Sequence, residues 1–234
     1  MIFTDKITVS VTEVLGNDQY VIGAMKTLTG VPAADASDRG RIRYLMEHRH
    51  GTPFEHNCIM LVVHAPIFVW REWHRHRIGF SYNEESARYK KLDPVFYIPS
   101  AERPMLKTGD DWKPGRPKFE KITPGRGDYH ATDTHMRQSY AASYRTYESL
   151  LTIGLDPGLA RDVLPVGIYS TCWVTCNLRS ALAFISLRTH DPAAKYVSYP
   201  LYEIEQGARQ LEDAIKKHFP LCYEAFNDFG RVGP

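Results

Sequence analysis

REWHRHRIGFSYNEESARYKK, residues 71–91, gathers four arginines (Arg71, Arg75, Arg77, Arg88), two lysines (Lys90, Lys91) and two histidines (His74, His76) against three acids, Glu72, Glu84 and Glu85. Trp73, Phe80, Tyr82 and Tyr89 are interleaved with these charges. Guanidinium forks beside aromatic faces suit phosphates and flat heterocycles, because the fork matches phosphate oxygens and stacks on rings. The stretch therefore reads as a site for an anionic, ring-containing ligand.

Pro66 suits the first turn of a helix, IFVWREWHRHR, where its missing N–H costs nothing. Gly79 is expected to end that helix, and residues 81–89 to follow as an irregular loop. Upstream, Cys58 to Ala65 is a continuous apolar run with β-branched members, the pattern of a buried strand. Before it, HRHGTPFEHN (residues 48–57) is a loop by its Gly-Thr-Pro, yet it carries His48, His50, His56 and Glu55. That spacing matches neither HExxH nor a zinc finger, so no metal is expected.

Nearer the start, residues 7–15 predict a strand that turns at Gly16-Asn17-Asp18, with Asp18 capping a helix to about Leu28 that Gly30 closes. Ser37 or Asp38 caps a second helix with Ile42, Leu45 and Met46 on its apolar stripe. Downstream, residues 100–128 are rich in Pro and Gly and predict a surface excursion, a mobile loop or a cover over a site. Helix resumes near Asp133, where Tyr140, Tyr144, Tyr147 and Leu151 recur at helical spacing as a core stripe. Asp156-Pro157-Gly158 starts a short helix. Residues 166–175 are strand-like, and Asn177 caps LRSALAFISLR, whose last turn holds Arg188. A final long helix spans residues 201–219 with Ala208, Leu211 and Ile215 inward and Glu203, Glu205 and Glu212 read as solvent-side charge. Residues 222–234 carry no motif.

These elements predict an α/β fold of the α+β type: a single domain over residues 1–234, with a mixed or antiparallel central sheet packed by helices and a surface insertion at 101–130. A net charge of +2 argues against a general polyanion binder and concentrates attention on the local basic window. With no long apolar run and no signal-peptide layout, no membrane association is expected and the chain is placed in the cytoplasm. Four cysteines (Cys58, Cys172, Cys176, Cys222) are read as reduced and mostly buried. GxGxxG, GxxxxGK[ST] and GxSxG are all absent, and no cysteine falls in the basic window, so the chemistry is expected to run on a cofactor.

RHR followed by SYNEESARY resembles the signature of flavin-dependent thymidylate synthases. VLGND, HGTPFEH, APIFVWREWHRHR, KLDPVFYIPS, ARDVLP and NLRSALAFISLR also look like family segments, in the family's order. The resemblance implies reductive methylation of dUMP to dTMP, with FAD as cofactor, NADPH as hydride donor, methylenetetrahydrofolate as one-carbon donor, and a homotetrameric assembly. Carried onto this chain, it implies that Thr52, Arg75, His76, Arg77, Glu84, Asn177 and Arg179 bind the flavin, with His50 a weaker candidate. It implies that Arg75, Glu85, Ser86, Ala87, Arg88, Arg161 and Arg188 bind the nucleotide. Glu72 joins that set, standing where the family usually has Gln; its carboxylate needs a cation, and Arg75 is the expected one. Arg188 is the implied catalytic residue: beside the pyrimidine, its fixed charge favours an ionised N3 and raises electron density at C5.

Two rival readings predict different behaviour. A single-stranded nucleic-acid module has no colour and an affinity that falls steeply with salt. A histidine-based metallohydrolase has bound zinc and is inhibited by chelators.

Overall fold

The computed structural model describes residues 1–107, 119–122 and 127–234. In chain order the elements are β1 (Ile2–Thr4), β2 (Thr8–Leu15), α1 (Asp18–Lys26), α2 (Asp38–Glu47), β3 (Cys58–Pro66), α3 (Ile67–Trp73), β4 (Phe80–Glu84) and β5 (Val95–Tyr97). They continue with β6 (Pro104–Lys107), β7 (Phe119–Lys121), α4 (Gly127–Thr152), α5 (Pro157–Ala160), β8 (Tyr169–Cys176), α6 (Leu178–Arg188), α7 (Tyr202–His218) and α8 (Pro220–Asp228). Within the expected insertion, β6 and β7 pair antiparallel. Gly109, Pro114, Gly115, Pro117, Pro124 and Gly125, on which the cover reading rests, lie outside the described residues.

The described residues group into two compact units. One comprises Met1–Lys6, Ala65–Arg71 and Glu84–Thr171; the other comprises Ile7–His64, Glu72–Asn83 and Cys172–Pro234.

In the first unit β1 pairs parallel with β5, Phe3 opposite Phe96. The aromatic stripe of α4 is core, as its spacing predicts. Tyr147 and Tyr144 are buried with Phe96, Leu92, Ala160 and Ile168, and Tyr140 and Leu151 pack against that cluster. Tyr140 stacks on Phe96 with ring centroids 5.0 Å apart. The buried Tyr144 hydroxyl donates to the Leu92 carbonyl at 2.8 Å, which removes the cost of burying it unpaired. Helix α4 begins at Gly127, a turn and a half ahead of the Asp133 expectation. Asp156 caps α5 through its side chain, and Pro157 sits at the first helical position, both as predicted.

In the second unit β2 pairs antiparallel with β3, and the sheet order is β2-β3-β8-β4. Ile59, Leu61 and Val63 of β3 are buried while the alternate residues are half-buried, so the apolar run has one fully covered face where two were expected. Helix α6 presents Leu178, Ala181, Leu182 and Ile185 inward as predicted, together with Phe184. Phe184 packs on the fully buried Trp73 at 4.6 Å between centroids. Helix α7 approaches the same indole closely: a Cβ on Gly207 would stand 2.8 Å from the Trp73 ring. Two large aromatics buried at this contact make it a principal source of the unit's stability, at about 25 cal/mol per Å² of apolar surface.

Several expectations are corrected. Asn17, not Asp18, caps α1, its side chain accepting from Gln19 N–H. Asp18 instead accepts the Leu221 and Cys222 N–H groups at 2.9 and 3.0 Å, at the start of α8. The α1 helix is closed by Thr27 in the left-handed region (φ 53°) rather than by Gly30. Pro66 ends strand β3, and α3 stops at Trp73 instead of reaching Gly79. Residues 80–84 form a strand, not a loop. Residues 220–228 are helical, with Cys222, Ala225 and Phe226 inward. Glu203 and Glu212, read as solvent-side charge, are buried at 1% and 5% exposure. All four cysteines are free, and three are buried. Burial raises the Cys176 thiol to about 12, which makes it a packing residue. Among the described residues no helix is long and apolar enough to cross a membrane.

Candidate active site

The second unit holds a hollow of about 970 Å³ lined by Arg75, His76, Arg77, Asn177 and Arg179. Its floor exists because α3 ends early. After Trp73 the chain turns, Arg75 N–H donating to the Glu72 carbonyl and His76 N–H to the Trp73 carbonyl. Gly79, at φ +68°, then passes so close to α6 that a Cβ would collide with the Ser180 hydroxyl. Both the conformation and the contact select glycine. Asn177 Oδ1 accepts the Ser180 N–H at 2.9 Å as the cap of α6, so its carbonyl is spent and its amide NH₂ is the donor left over. Arg179 donates from Nη1 to Glu55 Oε1 at 2.5 Å. Gly51 lies directly under the guanidinium, where a Cβ would clash with it. Several guanidinium forks with an amide donor and the apolar side chains of Ile78, Phe80 and Leu187 form a donor set that fits a phosphate-bearing ligand with a flat ring.

Arg188, at the last turn of α6, is bound to two signature residues. Its Nη1 donates to Glu72 Oε2 at 2.8 Å and its Nε to His76 Nε2 at 3.0 Å. The partner of Glu72 is therefore Arg188, not Arg75, which is exposed. His76 packs edge-on against Phe184 at 4.8 Å. Burial, and secondarily the Arg188 charge, push His76 down from 6.5 to about 4, so its ring is neutral at pH 7 and Nε2 is an acceptor. In the unfolded chain the ring takes up a proton near its ordinary value of about 6.5. Between that pH and about 4 the folded state binds fewer protons than the unfolded state, so stability falls as the pH falls through this window. His76→Gln is expected to shed that component. The variant's melting temperature should decline less steeply than the parent's from pH 6.5 to 4, and equal slopes would refute the assignment.

The first unit holds a smaller hollow, about 460 Å³, lined by Arg71, Glu84, Glu85, Ala87 and Arg161. Glu85 is already engaged, accepting Thr171 N–H at 2.7 Å and Lys90 Nζ at 3.3 Å. Ser86 opens a turn, its hydroxyl accepting Arg88 N–H at 3.3 Å and its carbonyl accepting Tyr89 N–H at 3.0 Å. Ala87 plugs into the core and fixes that turn. Arg88 and Arg161 meet at Gly158: Arg161 Nε donates to the Gly158 carbonyl at 3.2 Å, and the Arg88 stem runs alongside. The Arg88 guanidinium itself sits over the Tyr89 ring, 5.4 Å from its centroid, so the fork that lines the hollow from this turn is that of Arg161. Ser170, buried in the same lining, has an Oγ without a hydrogen-bond partner among the described residues.

Of the residues implied for the flavin, Arg75, His76, Arg77, Asn177 and Arg179 line the larger hollow; of those implied for the nucleotide, Glu85, Ala87 and Arg161 line the smaller, Arg75 lines the larger, and Glu72, Ser86, Arg88 and Arg188 line neither. Glu84 lines the smaller hollow beside Glu85, not the larger one beside Arg77. Thr52 lines a third hollow of about 260 Å³ with His50 and His56. His48 and His50 pack around Tyr44, and among the described residues no group of three His, Cys, Asp or Glu is placed to hold a metal. Sequence reasoning missed Arg49, Ser180 and residues 232–234 in the larger hollow and Ser170 in the smaller, and it placed Arg71 in the basic window without assigning it to a ligand. Glu55 had a signal in its polar loop; residues 232–234 had none.

The family described as "Thymidylate synthase complementing protein" matches residues 9–221. The flavin-dependent thymidylate synthase of Streptomyces coelicolor is 42% identical over 97% of this chain and 94% of its own length. That of Tropheryma whipplei is 41% identical over 100% of this chain and 97% of its own. Among solved structures, the UMP/dUMP methylase PolB from Streptomyces cacaoi bound with 5-Br UMP superposes with a TM-score of 0.92 at 40% identity, covering 100% of this chain and 99% of that one. The same enzyme bound with 5-Br dUMP gives 0.89 at 39% identity. With a family match over residues 9–221 and relatives aligned over nearly its whole length, the chain belongs to the flavin-dependent thymidylate synthase family.

Proposed function

We propose that the protein converts dUMP to dTMP, using methylenetetrahydrofolate as one-carbon donor, NADPH as hydride source and FAD as resident cofactor. The observation that carries this reading is the grouping of cationic side chains: Arg75, Arg77 and Arg179 around the larger hollow, Arg71 and Arg161 at the smaller. Bound FAD supplies the redox chemistry, which no side chain of the protein can perform. Arg75, His76, Arg77, Asn177 and Arg179 hold the flavin in the larger hollow. Glu85, Ser86, Ala87, Arg88 and Arg161 frame the nucleotide in the smaller, the two arginines taking the phosphate in charge-assisted bonds of about 1.5–3 kcal/mol each. Glu84 moves to the nucleotide group on this reading. Arg188 keeps Nη2 only weakly engaged, 3.4 Å from the Glu72 carbonyl, and that N–H is the donor it offers to a developing pyrimidine anion. Glu72 holds the fork in place, which gives its carboxylate a role other than repelling the nucleotide.

A folded unit over residues 1–234, working as a homotetramer in the cytoplasm, completes the proposal. The family match over residues 9–221 supports the first part. A nucleic-acid track has less support, because Lys90 and Lys91 are each paired with acids, Glu85 and Asp93 for one and Glu148 for the other. A second substrate, UMP, is favoured by the naming of the Streptomyces cacaoi relative as a UMP/dUMP methylase.

The test is the visible spectrum of the purified protein, followed by turnover with dUMP and with UMP in the presence of methylenetetrahydrofolate and NADPH. A flavin spectrum and methylated nucleotide are expected. Protein that neither carries nor takes up FAD, or that takes it up and methylates neither nucleotide, would overturn the reading.

A further inference from the structure

Residues 231–234 form a strap whose chemistry the reading above leaves unused. Arg231 adopts φ 59°, in the left-handed region, and its side chain is 5% exposed. Its Nη2 donates to Glu212 Oε1 at 2.5 Å and to Thr189 Oγ1 at 2.9 Å, and its Nη1 to Asn227 Oδ1 at 2.7 Å. A side chain tied to α6, α7 and α8 in this way is an anchor. From it the backbone runs beside α6, where Gly233 lies against the Ala183 backbone. The Gly233 carbonyl accepts from Arg49 Nη2 at 3.4 Å, and the carbonyl of the buried Pro234 accepts from Arg179 Nε at 2.9 Å. Val232, Gly233 and Pro234 all line the larger hollow.

Arg179 is therefore gripped twice, by Glu55 at Nη1 and by Pro234 at Nε, and its Nη2 has no protein acceptor among the described residues. A free arginine samples many rotamers, and a ligand that orders it bears that entropic cost. Here the strap and Glu55 meet the cost in advance. A segment that merely blocked the hollow would need a loose attachment so that the ligand could displace it. This segment hangs from a buried ion pair.

We propose that residues 232–234 are a main-chain wall of the flavin pocket that positions the Arg179 guanidinium for the cofactor. The proposal rests on the reading that the larger hollow holds the flavin. Its test compares the full chain with a chain ending at Arg231, which keeps the anchor and loses the wall. FAD affinity is read by quenching of flavin fluorescence and dUMP affinity by calorimetry. The shortened chain is expected to bind FAD at least fivefold more weakly and dUMP within twofold of the parent. Hydrogen exchange on the full chain gives a second measurement that needs no variant: FAD is expected to slow exchange of the Val232 and Gly233 amides at least fivefold. A full chain that binds no FAD overturns the functional reading and this proposal together. A full chain that binds FAD, with a shortened chain that binds it equally or more tightly, overturns the wall alone, as does exchange that is unchanged or faster with FAD.

Discussion

Arg188→Ala is expected to cut nucleotide methylation by at least a factor of ten, and by as much as 10²–10³ if Arg188 acts as a full electrostatic stabiliser, while FAD stays bound. The effect is large because one guanidinium serves three neighbours. On the proposed reading it offers its weakly engaged Nη2 to the substrate, and it also neutralises Glu72 at 2.8 Å and donates to His76 at 3.0 Å. Its loss leaves the Glu72 carboxylate without its Arg188 partner and removes one of the two causes that hold His76 near 4. The His76 pKa should therefore rise in the variant, observable by NMR titration of its ring. Arg188→Lys is not expected to rescue turnover, since one ammonium cannot reproduce a planar fork that meets two partners and a substrate at once. Unaltered turnover in Arg188→Ala, measured with saturating dUMP and FAD, would reject the catalytic role.

The largest expected loss of stability comes from Glu212→Ala. Glu212 is buried in α7 and accepts from Arg231 at 2.5 Å, from Tyr223 Oη at 3.0 Å and from Arg209 at 3.0 Å. Alanine leaves the buried Arg231 charge with only the more distant and partly exposed Asp191 carboxylate, 3.6 Å from its Nε, and losing the buried partner costs about 3–5 kcal/mol. For a chain of this size each kcal/mol moves the melting temperature by about 2–4 °C, so a drop of roughly 6–20 °C is expected in calorimetry. Lys216→Ala, on the exposed side of the same helix, should change stability by less than about 0.5 kcal/mol and serves as the control. Two variants melting within a degree of each other would show that the buried pair does not anchor the chain.

Much of the scaffold was legible because it is written in local patterns. The Asn177 cap with its apolar stripe predicted α6, Asp156-Pro157 predicted α5, and the tyrosines at helical spacing predicted the core face of α4. Strand β4 was hidden because Asn83 and Glu84 are poor strand formers; sheet pairing overrides that preference, and its burial alternates along the strand. Helix α8 was missed although Cys222, Ala225 and Phe226 fall at helical spacing and Pro220 stands in its first turn, because the segment is only nine residues long and carries no side-chain cap. Glu212 looked like solvent-side charge since its partner, Arg231, lies in a stretch without a motif. The same limit applies to the site. Residue types and the resemblance singled out the arginines, but which acid meets which arginine is a property of distant chain segments: Glu72 and Arg188 are separated by 116 positions, Arg179 and Glu55 by 124. Sequence spacing carries no information on contacts of that range.

The bonds from Leu221 and Cys222 to Asp18 span 203 and 204 positions, nearly the whole chain. They set an order on biosynthesis. The unit built on Glu84–Thr171 has most of its residues in one continuous stretch, and these leave the ribosome together. The other unit keeps Ile7–His64 waiting for Cys172–Pro234, so its first-made half, with apolar strand β3 inside it, emerges long before its partners exist. Nascent chains exposing such a strand are natural clients of holding chaperones, and codon changes that slow elongation after residue 83 would lengthen that exposure.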